Sequence, residues 1–202
     1  LINGSGDSDN SFFTIDGSIL KINSSPDYET KSSYNIRLKT KDAGGESFEQ
    51  AFTFSVSGLN ETPTAIALSG TSFNENIAGG STVTTLSTTD PDNSDTYTYS
   101  LVAGTSSGDN ASFTIDGSNL RINSSPNHEI KSSYNIRVKT SDSGGETYTK
   151  DFTLSVNDVN EIPTSISFSS TSLNETIAGG STVATLSTTD PDSSDTHTYS
   201  LV

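Results

Sequence analysis

The chain has 202 residues, 25 of them acidic and 10 basic, and its net charge of −15 argues against nucleic acid and anionic membrane surfaces as partners. Cysteine is absent, which excludes disulfides, thiolate metal sites and cysteine nucleophiles. Only 29% of the residues are hydrophobic, so disorder is an alternative to a folded domain. No apolar run reaches the length of a membrane span, and we expect no membrane insertion by this segment.

An internal repeat with an offset of 100 residues organises the chain. Lys31–Arg37 recurs unchanged as Lys131–Arg137, and Phe13–Gly17 recurs as Phe113–Gly117. A period of this length corresponds to one small domain. The predicted domains are residues 1–61, the later part of one repeat; residues 62–161, a complete repeat; and residues 162–202, the early part of the next.

The two ends of the sequence occupy the same place in the period, since Leu1-Ile2 matches Leu201-Val202. The first residue is not Met, so we expect an excerpt from a longer array. Each incomplete repeat would lack half of a hydrophobic core and would not be stable alone. We therefore expect residues 163–202 of one copy to complete residues 1–61 of the next.

The complete repeat has the pattern of β-strands. Apolar residues alternate with Ser, Thr and other polar residues in three stretches, namely Tyr97, Tyr99 and Leu101; Tyr134, Ile136 and Val138; and Phe152, Leu154 and Val156. This period of two predicts half-buried strands, and a disordered tract would not need it. Asp116-Gly117 predicts a hairpin turn, because both residues tolerate positive φ. No helical periodicity is present, so the fold class is all-β, as a Greek-key sandwich.

Acids and amides are concentrated in the predicted loops and at the end of each repeat. The segment Val156–Pro163 places Asp158, Asn160 and Glu161 between a strand and a proline. One period earlier, Val56–Pro63 has Gly58 where the later segment has Asp158. Clustered carboxylate and amide oxygens are the hard ligands that Ca²⁺ selects. We interpret both segments as domain junctions that hold calcium.

Taken together, these motifs resemble the cadherin repeat, and specifically the bacterial cadherin-like repeats of very large surface proteins. Glu75 is similar to the glutamate of the family's first-strand motif, and Asp27-Tyr28-Glu29 to its Leu-Asp-Arg-Glu motif. Asp90-Pro91-Asp92 matches the Asp-x-Asp motif. Asp158–Pro163 resembles the Asp-x-Asn-Asp-Asn-x-Pro linker, although it is one residue shorter. The resemblance covers the whole chain.

The resemblance implies tandem cadherin-like Greek-key β-sandwiches of seven strands each, with Ca²⁺ held between successive repeats. The implied ligands of the first junction are Asp27, Glu29, Asn60, Glu61, Asp90, Asp92 and Asp142. Those of the second junction are Glu75, Asn127, Glu129, Asp158, Asn160, Glu161, Asp190 and Asp192. The repeat adds Asp42 and Glu175 as the equivalents of Asp142 and Glu75. Because Gly58 replaces an acid, we expect fewer or more loosely held ions at the first junction. Asp95 is given no role.

Other motif interpretations are weaker. Asp90–Asp95 superficially resembles an EF-hand loop but lacks its central Gly and its final Glu. Paired carboxylates could serve glycoside hydrolysis, but these acids recur in every period together with amides, so we expect no enzymatic activity. His128 and His197 stand where the preceding repeat has Tyr28 and Tyr97. We interpret both histidines as ordinary surface or packing residues.

The sequence thus favours a calcium-rigidified structural repeat of an extracellular surface or secreted fibre, such as an adhesin stalk or filament. The alternative is an adhesion module that binds carbohydrate or protein and uses calcium only for structure. Neighbouring repeats of the same or an identical chain are the expected partners, with surface glycans or other cells as further candidates. Without metal, the clustered carboxylates should repel one another and separate the domains.

Overall fold

A computed structural model describes residues 6–202. The strands, in chain order, are β1 (Phe13–Asp16), β2 (Ile19–Ile22), β3 (Ser33–Lys41), β4 (Ser47–Ser55), β5 (Ala65–Leu68), β6 (Ser72–Asn74), β7 (Thr82–Thr89), β8 (Thr98–Leu101), β9 (Phe113–Asp116), β10 (Asn119–Ile122), β11 (Ser133–Ser141), β12 (Thr147–Asn157), β13 (Ser165–Phe168) and β14 (Leu186–Thr189). Two short 3₁₀ turns, Asn10–Phe12 and Asn110–Ser112, precede β1 and β9. No helix among these residues has the length and apolar character needed to span a membrane.

The described residues divide into two compact units. The first contains residues 6–65, Thr88–Tyr97 and Ser141–Tyr148. The second contains Ile66–Ser87, Thr98–Thr140 and Thr149–Val202.

The complete repeat is a β-sandwich of two four-stranded sheets, ordered β5-β7-β10-β9 and β6-β12-β11-β8. The family resemblance implies seven strands, whereas this repeat has eight, because its first strand is divided between the sheets at Ser69–Thr71. The second half of that strand, β6, pairs in parallel with β12, and Phe73 stands opposite Val156. The predicted all-β sandwich is therefore present in the complete repeat.

The core of this sandwich consists of the alternating apolar residues seen in the sequence. Ile136, Val138 and Leu154 are fully buried and come from the two long strands β11 and β12. Phe113 meets Tyr134 edge to face, with ring centroids 5.3 Å apart. Burying these side chains provides the main driving force for folding, at about 1.5–3 kcal/mol for each large aliphatic or aromatic residue.

The hairpin β9–β10 forms at the predicted place, but its loop lies one residue later than the sequence suggests. Asp116 pairs with Asn119 as the last residue of β9, so the loop is Gly117-Ser118. Gly117 alone in this turn has a positive φ, of 59°. This geometry belongs to a hairpin turn that needs glycine only at its first position. Asp116 instead accepts a 3.0 Å salt bridge from the Arg121 guanidinium.

The incomplete repeats have the strand pairs of the complete one but leave their apolar faces exposed. β1 pairs with β2, β3 with β4 and β13 with β14, all antiparallel. Phe54 in β4 is 45% exposed, whereas Leu154, one period later, is 0% exposed. At the other end, Ile166 is 63% exposed, whereas its equivalent Ile66 is fully buried. The same core position is therefore buried in the complete repeat and exposed in an incomplete one.

Candidate metal centres

The predicted ligands fall into two sets, each within one compact unit. Junction one denotes the set Asp27, Glu29, Asn60, Glu61, Asp90, Asp92 and Asp142, which lies in the first unit. Junction two denotes the set Glu75, Asn127, Glu129, Asp158, Asn160, Glu161, Asp190 and Asp192, which lies in the second unit. The structure places carboxylates from distant parts of the sequence within contact range in both.

In junction one, a first acidic group forms where the linker follows β4. Glu29, Glu61 and Asp92 each contribute an oxygen, and these atoms lie within 4.8 Å of one another. The backbone N–H of Glu61 donates to the Asp92 carboxylate at 2.7 Å, which fixes the linker against the Asp-x-Asp loop. Burial, followed by the negative charges of Glu29 and Asp92, raises the pKa of the Glu61 carboxyl. The group therefore concentrates negative charge.

The second acidic group of junction one consists of Asp90, Asp95 and Asp142, which also lie within 4.8 Å of one another. Asp142 is buried and accepts backbone N–H groups from its own β11–β12 turn, including that of Glu146 at 2.9 Å. The Asn60 amide donates to the other oxygen of Asp142 at 3.2 Å, so the linker contributes here as well. Burial, followed by the charges of neighbouring aspartates, raises the pKa of Asp90.

Gly144 leaves room for the Asn60 side chain. A Cβ atom at this position would lie 1.9 Å from Asn60 Oδ1, so the asparagine amide would have to move away from its place beside Asp142. The Gly-Gly turn thus does more than reverse the chain after Asp142: it leaves the space that the linker asparagine occupies.

In junction two, Glu75 is the central residue of the first group. Its side chain is 2% exposed and accepts the backbone N–H of His128 at 2.7 Å and that of Val159 at 2.8 Å. These two bonds hold the pKa of Glu75 below its usual value despite its burial. Glu75, His128, Glu129 and Asp158 each contribute an atom to a cluster within 4.8 Å. Partial burial, together with the charges of neighbouring acids, raises the pKa of Asp158.

A second group in junction two repeats the linker geometry of junction one. Glu129, Glu161 and Asp192 converge within 4.8 Å, and the Glu161 N–H donates to Asp192 at 2.7 Å. Burial, followed by the charges of Glu75 and Asp192, raises the pKa of Glu161, although a close hydrogen bond from the Asn76 amide opposes this shift. The same backbone-to-carboxylate contact thus recurs one period apart.

The residues present fit Ca²⁺. Buried oxygens of Glu61, Asp90, Asp95 and Glu161 have no hydrogen-bond partner within residues 6–202. A buried polar atom without a partner is costly, and one beside like charges is more so. A hard divalent cation that takes six to eight oxygens would satisfy these atoms and neutralise their neighbours. The donor set consists of carboxylates and amide oxygens, as calcium requires.

Other predicted ligands lie outside the convergent carboxylate groups of the described chain. Asp27 and Asn127 accept the backbone N–H groups of Thr30 and Ile130 at 2.9 and 2.8 Å, and so cap their own turns. Asp42 caps the β3–β4 turn in the same way, by accepting the Glu46 N–H at 2.8 Å. The remaining three are Glu175, which is exposed, Asn160, whose amide donates to Glu161, and Asp190, which binds His197.

Three residues at the junctions were not assigned a role from the sequence. Asp95 joins Asp90 and Asp142, and its recurrence as Asp195 was the available signal. His128 was interpreted as a surface or packing residue, but its Nδ1 lies 3.4 Å from Glu129 Oε1, within the cluster around Glu75. His197 Nε2 lies 2.8 Å from Asp190 Oδ2. Tyr28 and Tyr97 at the equivalent positions gave no signal for either contact, because equivalent positions in tandem repeats can differ in role.

Sequence comparison finds similarity to one large vertebrate protein. No family model matches the chain. The chain is 30% identical to protocadherin Fat 4 of Homo sapiens over 178 residues, which are 83% of the chain and 4% of that protein. It is 28% identical to protocadherin Fat 4 of Mus musculus over 136 residues, or 65% of the chain and 3% of that protein. The chain thus spans only a small fraction of these relatives.

Solved structures show the same likeness at the level of fold. The protocadherin gammaB7 EC3-6 cis-dimer structure matches with a TM-score of 0.66 at 19% identity, covering 90% of this chain and 49% of that one. Mouse protocadherin-24 EC1-3 matches with a TM-score of 0.63 at 21% identity, covering 92% of this chain and 64% of that one. The protocadherin GammaB4 extracellular domain matches with a TM-score of 0.59 at 22% identity, covering 89% and 30%.

Proposed function

Because the chain consists of cadherin-like domains, with the all-β fold of protocadherin extracellular regions, we propose that it is a calcium-rigidified spacer in an extracellular surface structure or secreted fibre. The protocadherin relatives are extracellular adhesion proteins without enzymatic activity, in agreement with the sequence prediction. We propose further that the protein is of the bacterial surface type. The basis for this proposal is the resemblance of the motifs at Glu75, Asp90-Pro91-Asp92 and Asp158–Pro163 to those of the bacterial cadherin-like repeats.

The observation that carries the proposal is the set of buried carboxylate oxygens without a partner, one or more at each junction. Glu61 and Glu161 occupy equivalent linker positions, and in both an oxygen is buried beside other acids and unbonded within the described chain. Solubility alone does not explain why both linkers bury an unpaired carboxylate oxygen beside other acids. A bound cation at each junction removes the cost in both places.

The chain's own residues determine what binding would do. The Glu61 N–H donates to Asp92 and the Glu161 N–H donates to Asp192, so the chain's own hydrogen bonds position the linker backbone. Repulsion between the side chains opposes that arrangement. Calcium would supply the positive charge that lets the linker acids and the Asp-x-Asp loop remain together. Without calcium, repulsion between the carboxylates would leave the junction flexible, and bound calcium would make it rigid.

The expected affinity suits an extracellular setting. Extracellular calcium modules bind with Kd values of about 10⁻⁴ to 10⁻³ M. A site whose free ligand is at tenfold its Kd stabilises the folded state by about 1.4 kcal/mol, and several sites per chain multiply this term. For domains with so low an apolar content, this is a substantial share of a total of about 5–15 kcal/mol.

The partners we propose are neighbouring repeats of the same or an identical chain. The exposed apolar faces around Phe54 and Ile166 support this, because the equivalent residues of the complete repeat are buried by one another's strands. Residues 163–202 of a second copy carry the strands that would cover β1–β4. Sedimentation velocity should show concentration-dependent assembly that Phe54→Asp abolishes. Ile130→Asp, at an exposed position of the complete repeat, is the matched control.

The alternative function is direct binding of carbohydrate or protein by these repeats, with calcium playing a structural part only. An exposed aromatic side chain of the complete repeat would be the expected contact for a sugar ring. The aromatic residues Phe73, Phe113 and Tyr134 are instead buried in its core. The spacer role is therefore the better supported of the two.

Small-angle scattering and calorimetry of the whole chain, in calcium and in EGTA, test the proposal. We expect chelation to lower the melting temperature and to broaden the distribution of interdomain distances, while the circular dichroism of the sandwich persists. Asp116→Asn removes one acid from a hairpin remote in sequence from the linkers and serves as the charge-matched control for Asp92→Asn. Identical curves with and without calcium would refute the proposal.

A further inference from the structure

The cluster around Glu75 differs from the other three acidic groups of the described chain, because it contains an imidazole. His128 Nδ1 lies 3.4 Å from Glu129 Oε1 and 3.6 Å from Asp158 Oδ2. The buried Glu75 joins His128, Glu129 and Asp158 in a group in which each residue offers one ligand atom and these atoms lie within 4.8 Å of one another. Nitrogen is a poor ligand for calcium but suits zinc and neighbouring transition metals. The cluster is therefore chemically mixed.

The two ion-pair contacts of His128 are longer than ordinary hydrogen bonds and match the spacing of ligands around a tetrahedral metal ion. Hydrogen bonds from nitrogen to oxygen span about 2.7–3.2 Å. Ligands placed about 2.0–2.2 Å from a tetrahedral zinc ion lie about 3.4 Å from each other. His128 fits the second spacing with both of its neighbours. His197 fits the first, since its Nε2 is only 2.8 Å from Asp190 Oδ2.

We propose that His128 Nδ1, Glu129 and Asp158 form, with Glu75, a site for a borderline divalent metal ion such as Zn²⁺. Three of these residues belong to the calcium set of junction two, so zinc and calcium would compete there; this competition rests on the proposed function. Zinc binding itself does not, because it can be measured in the absence of calcium.

Backbone hydrogen bonds around the site position the segments that carry the proposed ligands. Glu75 accepts the N–H of His128 at 2.7 Å and the N–H of Val159 at 2.8 Å. These residues adjoin the other two ligands in sequence, since Glu129 follows His128 and Asp158 precedes Val159. One buried carboxylate thus fixes both segments that carry the ligands. Such support is what makes a metal site selective rather than adaptable.

Junction one provides an internal comparison, because it lacks both distinctive ligands. Tyr28 stands in the place of His128, and Gly58 in the place of Asp158. A Cβ on Gly58 would lie 3.0 Å from Tyr28 Cδ1, so the tyrosine ring occupies the space beside the glycine. We therefore expect zinc binding at junction two and none at junction one.

Calorimetric titration of the full chain with ZnCl₂ in calcium-free buffer tests the inference. We expect one zinc ion per chain, and X-ray absorption should show a single nitrogen ligand. His128→Tyr, which copies the residue found one period earlier, should weaken zinc binding by more than tenfold, since even outer-shell changes cost about 10–100-fold. His128→Asn is a second variant that retains polarity. His197→Tyr is the matched control and should bind zinc as the parent chain does.

Unchanged zinc affinity in both His128 variants, or a nitrogen ligand that persists in them, would overturn the inference. Equal loss in His197→Tyr would do the same, because it would point to a different site. Calcium titration of the His128 variants separates the two proposals. Retained calcium binding with lost zinc binding supports both, whereas a parent chain that binds zinc through His128 but no calcium supports only the zinc site.

Discussion

Junction one and junction two have the same linker geometry, but each contains an acidic group that the other lacks among the described residues. Junction one has Asp90, Asp95 and Asp142, the group that belongs to the repeat after the linker. Junction two has the cluster around Glu75, the group that belongs to the repeat before the linker. The sequence has no position 100 residues before Glu75 or 100 residues after Asp142. Combined through the 100-residue period, the two junctions give a fuller ligand set than either does alone.

Their differences are as informative as their common part. Both share the bond from a linker N–H to the second acid of the Asp-x-Asp loop, at 2.7 Å in each case. They differ at the pair Tyr28 and Gly58, which corresponds to His128 and Asp158. The common part is backbone geometry, which any linker of this length can form. The variable part is the set of side chains proposed as ligands, so we expect affinity and ion type to differ between junctions without a change of fold.

Removing calcium from both junctions should have the largest effect. With two or more sites contributing about 1.4 kcal/mol each, EGTA should lower stability by about 3 kcal/mol or more and the melting temperature by several degrees. Differential scanning calorimetry at matched ionic strength measures this. Magnesium in place of calcium is the control, and it should restore little, because it demands a smaller and more regular ligand set.

Breaking one junction while leaving the other intact should have the next largest effect. Asp92→Ala removes a member of the group with Glu29 and Glu61 together with the acceptor of the Glu61 N–H. We expect calcium affinity at junction one to fall at least tenfold, or about 1.4 kcal/mol, with junction two unchanged. Calorimetric titration resolves the two classes of site, and Asp192→Ala should give the mirror result. Equal losses at both junctions in either variant would contradict independent sites.

Acidification should affect the calcium-free and calcium-loaded chains in opposite directions. The pKa values of Glu61, Asp90, Asp158 and Glu161 are raised in the folded chain. Such groups favour folding below their ordinary pKa values, and that contribution is lost as the pH rises through the raised values. In EGTA the melting temperature should therefore rise as the pH falls from neutrality toward the ordinary carboxyl pKa values.

In calcium the melting temperature should fall over the same interval, because protons compete with the metal for the carboxylates. Asp9 provides the contrast. Its hydrogen bond from Lys31 lowers its pKa, so its contribution is present above its ordinary pKa and disappears only in stronger acid. Parallel pH dependence with and without calcium would show that the junction acids do not bind the ion.

Giving junction one the proposed ligands of junction two should change its calcium affinity, but by less than the preceding variants do. We expect fewer or more loosely held calcium ions at junction one in the parent chain. Gly58→Asp should tighten calcium binding there, but the Tyr28 ring lies 3.0 Å from the new Cβ position and must move. The double variant Tyr28→His with Gly58→Asp should therefore gain more, up to about tenfold. An unchanged first junction in both variants would show that the linker acid is not a ligand.

Neutralising the acids that lie outside the four convergent acidic groups should have the smallest effect on calcium affinity and stability. Asp42 caps its own turn and Glu175 is exposed, so Asp42→Asn and Glu175→Gln should change calcium affinity and stability by less than about 0.5 kcal/mol. Asp142→Asn is the matched comparison for Asp42→Asn and should clearly weaken junction one. A large effect of Asp42→Asn would mean that this position contributes to a site in the assembled fibre.

The sequence was sufficient for the fold because the alternation of apolar residues indicates strands even where the low apolar content leaves disorder open. Alternation at Tyr134, Ile136 and Val138 predicted a strand, and these residues are buried in β11. The resemblance to cadherin repeats was likewise supported by the protocadherin structures. The division of the first strand into β5 and β6 was not predicted, because switching between sheets at Ser69–Thr71 changes no residue pattern. It depends on which partner strand offers free hydrogen-bonding groups.

The site was less predictable, because a motif gives residue types without their directions. Asp27 and Asp92 are both acids of a predicted ligand motif, yet the first caps its own turn and the second faces the linker. His128 was discounted because its equivalent is Tyr28, although tandem repeats share a backbone without sharing every side-chain role. Position in the period predicts the backbone location of a residue, whereas local hydrogen bonds determine the direction of its side chain.

The parallel pairing of β6 with β12 has a mechanical consequence for a chain pulled along its length. β6 belongs to the first strand of the repeat and β12 leads directly into the linker at Asp158. Tension applied from the preceding and following repeats would draw these strands in opposite directions along their common axis. The bonds joining Ser72–Asn74 to Ser155–Asn157 would then be loaded in shear and would have to yield together. A strand pair loaded this way resists rupture better than one peeled open bond by bond, and the metal-bound linker would pass the force directly to it.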